Sequence, residues 1–179
     1  MKQSQLIFLF FILFAAFSCK KKECDNPNVV DGINLTELPP ATMTGANTMG
    51  CLINGEIWLP LGRNLLGDLI YDINFDVNSP NSGGGFTIQG TRNIEDYFAI
   101  MLVSAADVLT QGEYPFLLPT SNFGDTCGVF DLDTTYNNFI EITKIDFEEE
   151  ILSGLYQMQL INNDCDTLTV TEGRFDLSP

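Results

Sequence analysis

Five cysteines and a large excess of carboxylates are the residues able to do chemistry in this chain, and histidine is absent. Without imidazole, Ser-His-Asp and Cys-His nucleophilic catalysis and most catalytic zinc sets are excluded, together with the usual general base near neutral pH. Of the cysteines, Cys19 stands apart. Before it come Lys2, a wholly apolar run from Leu6 to Phe17 and the small Ser18; after it come Lys20, Lys21 and Lys22. A positive start, an apolar stretch and a small residue at the cut describe an export signal. A cysteine at the cut makes it a lipoprotein signal, because the new N-terminal thiol can take a diacylglycerol. Ala16 replaces the aliphatic residue usual three positions before such a cut. The apolar run is too short to cross a bilayer, which takes ~20 residues. We therefore expect a signal peptide over residues 1–18 and lipidation at Cys19.

Four cysteines remain, Cys24, Cys51, Cys127 and Cys165. An even number in an oxidising compartment points to disulfides, with three connectivities open. The preferred pairing is Cys24–Cys51 with Cys127–Cys165, since the last two flank late strands. A four-thiolate metal site is the rival, but the sequence has no Cys-x-x-Cys pair.

The carboxylates set the charge, with 24 acidic against 8 basic residues and a formal net charge of −16. Signal removal takes Lys2 and deepens it. Only Arg63, Arg92, Lys144 and Arg174 lie beyond the lysines that follow Cys19. So acidic a body repels phosphate backbones, which excludes nucleic acid as a partner. Among acidic motifs, DLDTTYNN (Asp131–Asn138) is superficially like a calcium loop. It lacks the central Gly and terminal Glu of an EF-hand, so a hairpin turn with exposed aspartates is favoured. Calcium would need Asp131 and Asp133 to meet Asp164 and Asp166 from the turn INNDCDT. Asp68, Asp72 and Asp76 recur every fourth residue, ~13 Å apart along a strand, too far to share one ion. A hydrolase with paired carboxylates needs two acids ~5–9.5 Å apart in a cleft, and no pair stands out. SPNSGGG (Ser79–Gly85) is no phosphate cradle, since neither Gly-Lys-Ser/Thr nor a helix pattern follows.

The elements that must position these residues read as strands. Residues 19–48 form the lipidated N-terminus and a flexible tether, rich in Pro, Asn and Thr and without sustained periodicity. The domain spans 49–179. Asn54-Gly55 between Leu52-Ile53 and Ile57-Trp58 predicts a type I′ hairpin, with Trp58 in the core. Residues 68–78 alternate apolar and polar, one face buried and one wet. Tyr97–Val103 is apolar on both faces and predicts a central strand covered on both sides; SAADVL after it could form one helical turn. Strands follow at Cys127–Leu132, Phe139–Phe147 and Ile151–Ile161, the last burying Leu152, Tyr156, Met158 and Leu160. In the final strand Leu168 and Val170 share one parity while Phe175 and Leu177 have the other. A β-bulge at Glu172-Gly173 must absorb the slip, leaving Arg174 outward beside an acidic neighbour. Short strands with turn residues between them indicate one antiparallel all-β domain, a β-sandwich of about eight to ten strands. A partly open lipocalin-like β-barrel is the alternative.

The segment LPPATMTGANTMGCLINGEIW (Leu38–Trp58) and the closing ILSGLYQMQL and LTVTEGRFDL stretches (Ile151–Leu177) resemble the two ends of a family of uncharacterised lipoproteins from the Bacteroidota. The resemblance implies an exported all-β lipoprotein and carries no activity or catalytic residue. A non-catalytic binding or structural module of the cell envelope is expected, with a protein or glycan partner. Trp58, Tyr97, Tyr114 and Tyr136 are the candidate aromatic contacts. A small-ligand carrier or calcium-binding β domain is the alternative. The lysine-rich start with Glu23 and Asp25 is similar to surface-export tags of that group, which favours the outer membrane, facing the periplasm or the surface.

Overall fold

Asn54 and Gly55 both take positive φ, 51° and 85°, the pair of values a type I′ turn requires. They join β3 (Thr48–Ile53) to β4 (Glu56–Trp58) in the expected hairpin. The computed structural model describes residues 29–30, 33–34, 36–62, 71–76, 85–94, 97–117, 120–123 and 127–178. Cys19, Cys24 and Asp68 lie outside them. Ahead of β3, β1 (Val29–Val30) and β2 (Ile33–Asn34) pair as a small antiparallel hairpin inside the stretch read as tether.

The remaining strands are β5 (Tyr71–Asp76), β6 (Gly85–Ile94), β7 (Tyr97–Ala105), β8 (Gly112–Tyr114), β9 (Thr120–Phe123), β10 (Gly128–Leu132), β11 (Phe139–Asp146), β12 (Ile151–Asn162) and β13 (Cys165–Leu177). Among the described residues the fold is all-β and antiparallel throughout its ladders, as expected. Eleven strands form one hydrogen-bonded system that folds over itself as a sandwich. One layer runs β4-β3-β13-β12-β11-β8 and the other β5-β6-β7-β9-β10. The layers meet along β12. Its first half, Ile151–Gln157, pairs with β11, whereas Leu160 and Ile161 pair with β10. Asp133–Asn138 is thus not the hairpin turn expected from its sequence; it carries the chain between two layers that share one edge of β12. At the other side, an isolated bridge from Leu61 to Arg92 brings the chain after β4 against β6.

Packing between layers follows from side-chain alternation. Ala99, Met101, Val103 and Ala105 of β7 are fully buried, while Phe98 is 45% exposed and Ile100 and Leu102 are half-buried. The expectation that β7 is covered on both faces is therefore corrected: its second face is apolar but partly wet. Inner residues of β7 meet the opposite layer through the Tyr156 hydroxyl, 3.3 Å from the Met101 sulfur, and Cys51, 3.8 Å from it. Phe86 of β6 contacts Phe175 of β13, with ring centroids 5.8 Å apart. Trp58 is buried, as expected. SAADVL forms no helix: Asp107 takes φ 58° and Val108 inserts fully into the core.

The parity switch in the last strand is resolved where the sequence placed it. Between Gly173 and Val170, β13 uses one residue more than β12 does, and the same slip appears against β3. Glu172 takes φ 51°, which is the bulge. Gly173 is required there because a Cβ would lie 2.6 Å from the Tyr156 ring. A Cβ on Gly154 of β12 would likewise lie 2.6 Å from the Phe175 ring. Each strand thus offers a glycine beneath the other's aromatic, and the Tyr156 and Phe175 rings stack 6.3 Å apart.

Candidate functional site

Asp176 is the most heavily hydrogen-bonded carboxylate among the described residues, and it is 1% exposed. It follows Phe175 at the end of β13, beyond the bulge, so its side chain faces a strap formed by residues 38–47 rather than the core. Its Oδ2 accepts from Thr42 Oγ1 at 2.6 Å, Thr44 N at 3.0 Å, Thr44 Oγ1 at 3.3 Å and Ala46 N at 3.2 Å. Its Oδ1 accepts from Gly45 N at 2.8 Å and Ser153 Oγ at 2.7 Å. Burial alone would raise its pKa, but the hydrogen bonds from Thr42, Ser153, Thr44 and Gly45 outweigh it and hold the acid far below its usual range. Six donors occupy the lone pairs of both oxygens, leaving none to take a substrate proton or a metal. Asp176 is a clip, not a reactive acid. Asn47 Oδ1 adds a bond from Ser178 N at 2.9 Å. Arg174 donates to the Pro39 carbonyl at 3.5 Å and pairs with Glu172 at 3.2 Å, the outward ion pair expected of it. Residues 38–47, read from sequence as the end of the tether, are docked on the domain.

The cysteines divide differently from the preferred pairing. Cys127 and Cys165 are joined, with Cα atoms 5.9 Å apart, as expected. Cys51 is a free thiol with no exposed surface, which corrects the expectation that it pairs with Cys24. Its parity on β3 points it into the core, where a cysteine of the tether could reach it only by displacing packed side chains. Burial pushes its thiol up to about 12, against a smaller opposing hydrogen bond from Tyr156.

The four aspartates weighed as calcium ligands are not brought together among the described residues. Among the described residues no three of His, Cys, Asp and Glu converge to hold a metal ion. Asp131 sits on β10 opposite Ile161. Asp133 is taken up in its own turn, accepting Thr135 Oγ1 at 2.6 Å and Thr135 N at 2.8 Å, which lowers its pKa. Asp164 and Asp166 belong to a different feature.

That feature is a wide-mouthed cavity of about 570 Å³ at the β12–β13 turn. Its floor is Phe130, Leu168 and the Cys127–Cys165 bridge, and its rim is Asn163, Asp164 and Asp166. The turn is built by Asn162. Its Oδ1 accepts from Asp164 N at 2.8 Å, and its Nδ2 donates to the carbonyls of Cys127 and Val129, each at 2.8 Å. Amide and disulfide together fix the start of β10 to the β12–β13 hairpin. The structure therefore brings Cys127, Cys165, Asp164 and Asp166 to one place and leaves Asp131 and Asp133 outside the lining. Sequence reasoning missed Phe130 and Leu168, which read only as strand positions.

The expected aromatic contacts are not presented as a platform. Trp58 is in the core, and Tyr114 and Tyr136 are half-buried. Tyr114 is tied by its hydroxyl to the Thr110 carbonyl at 2.9 Å, and Tyr136 accepts from Gln157 at 3.2 Å. The Tyr97 side chain lies outside the described residues. No protein family, curated protein or solved structure matches this chain.

Proposed function

We propose that this chain is a lipid-anchored cell-envelope module, exported through its N-terminal signal and lipidated at Cys19, that binds a partner protein and has no catalytic activity. The resemblance to Bacteroidota lipoproteins at both ends of the domain belongs to this reading, as does an outer-membrane location. The observation that carries it is the cavity clamped by Cys127–Cys165: a disulfide suits an oxidising compartment, and it holds a concave surface at one end of a packed sandwich. The volume lies in the range of ligand-binding clefts, ~300–1,000 Å³. The absence of histidine from the chain and the saturation of Asp176 argue for binding rather than turnover. A carrier with its ligand between the layers is disfavoured, because that space holds Met101, Cys51, Tyr156 and Phe175, all buried.

Photo-crosslinking in the native envelope, from a reactive residue placed at Asn163, tests the reading. A discrete protein adduct is expected. A thermal melt of the intact protein with EDTA, calcium and envelope glycans is the companion measurement, since a ligand that binds only the folded state raises the melting temperature. A glycan-specific rise without any protein adduct would reverse the assignment. Cleavage by protease added to intact cells decides which face of the membrane the domain occupies.

A further inference from the structure

We infer that the cavity at the β12–β13 turn receives a basic side chain, lysine or arginine, from a segment of the partner protein; the inference rests on the protein-docking reading above and names what is docked. Charge complementarity selects the occupant. Asp164 and Asp166 stand at the rim, and no Lys or Arg lines the cavity. The described cations are elsewhere: Lys144 pairs with Asp146 and Glu149, Arg174 with Glu172, and Arg92 lies on β6. A chain of net charge −16 adds a field that draws in cations and repels anions.

The floor narrows the choice further. Phe130 is 2% exposed, so it shows no ring face on which a sugar could stack, and no aromatic residue stands at the rim. A bare metal ion lacks a third ligand. The surfaces on offer, Leu168 and disulfide sulfur beneath a carboxylate rim, match a side chain with an apolar stem and a charged head.

One observation favours a protein source over a free amine or a lipid headgroup. Val129 and Ile161, on the outer side of the same end, are 54% and 40% exposed, apolar area that a small amine would leave uncovered.

The test uses the intact lipoprotein in nanodiscs, followed by amide NMR. The probes are Nα-acetyl-lysine methylamide, the arginine analogue, the uncharged norleucine analogue and N-acetylglucosamine. The lysine and arginine probes should shift the amides of Asp164, Cys165, Asp166 and Leu168, and the other two should not. The double variant Asp164→Asn, Asp166→Asn should lose at least tenfold in affinity for the basic probes while keeping its remaining spectrum. Equal shifts from norleucine or the sugar, or an unchanged response in the double variant, overturn the inference. Crosslinking from Asn163 separates the two readings. An adduct that persists undiminished in the double variant leaves protein docking standing and removes the basic side chain. Probe binding without any adduct keeps a cation pocket and removes its protein occupant.

Discussion

Replacing Asp176 by Asn keeps the shape of the side chain and removes its charge and half of its accepting capacity. The amide nitrogen must replace either Oδ2, which takes four donors, or Oδ1, which takes two. The Oδ1 side is cheaper, because the Ser153 hydroxyl can rotate to accept instead. Even so, the Gly45 N–H loses its partner, a cost of about 1–3 kcal/mol for a buried donor. The four bonds left on the carbonyl also lose their charge assistance. We expect a total loss of about 2–4 kcal/mol, seen in urea as a midpoint lowered by about 1–2 M at a slope of ~2 kcal/mol per molar. The pH dependence has a defined sign. The folded pKa is depressed below the unfolded value of about 3.9, so the stabilisation is fully present above that value and lost as pH falls toward the folded one. The gap between wild type and Asp176→Asn should be constant from pH 7 to 5 and narrow steadily below pH 4. Hydrogen exchange at Gly45 and Ala46 should accelerate in the variant at every pH in that range. A midpoint within 0.2 M of wild type (about 0.4 kcal/mol at that slope), or a gap that fails to close in acid, would refute the view that this carboxylate fastens the strap.

Gly173→Ala should destabilise by about 1–3 kcal/mol in the same urea assay, since a Cβ would overlap the Tyr156 ring and carbonyl. Gly55→Ala meets open space at φ 85° and should cost only about 1 kcal/mol, so the order of the two variants checks the packing. Replacing Cys127 and Cys165 together by Ser opens a loop spanning 38 residues; about 4 kcal/mol should be lost by the loop-entropy estimate, read as a lower thermal midpoint that reductant no longer changes. In a chain carrying Cys19→Ser and Cys24→Ser, a thiol reagent at pH 8 should leave Cys51 unmodified in the native state and label it fully in denaturant. Fast native labelling would contradict its place in the core.

Features specified by adjacent residues were legible in the sequence. Asn54-Gly55 needs only its own backbone to make a turn, and the parity conflict between Val170 and Phe175 can be absorbed only near Gly173. The Cys127–Cys165 bridge was legible because both cysteines abut strands that the alternation pattern could place. What failed depends on contacts distant in sequence. Cys51 is inward because of the register of β3 against β13, and nothing near residue 51 distinguishes a core thiol from a disulfide half. Residues 38–47 have no periodicity of their own; they are ordered by an acid more than 120 residues away. The four aspartates fell into two groups because β10 and β11 divide one edge of β12, an arrangement that hydrophobic patterning does not encode. The cavity floor was missed for the same reason, since Phe130 and Leu168 look like any buried strand residues.

If the chain is lipid-anchored as proposed above, it is pulled by its N-terminus whenever something grips its body. Without the strap, that force would enter directly at Thr48 and open the β3–β13 ladder one rung at a time, like a zipper. With Asp176 gripping Thr42, Thr44, Gly45 and Ala46, it is delivered instead to the end of β13, which pairs along its length with β12. Several bonds to one carboxylate must then break nearly together before any ladder is exposed. On that reading the clip acts as a strain relief, sited where the leash meets the load.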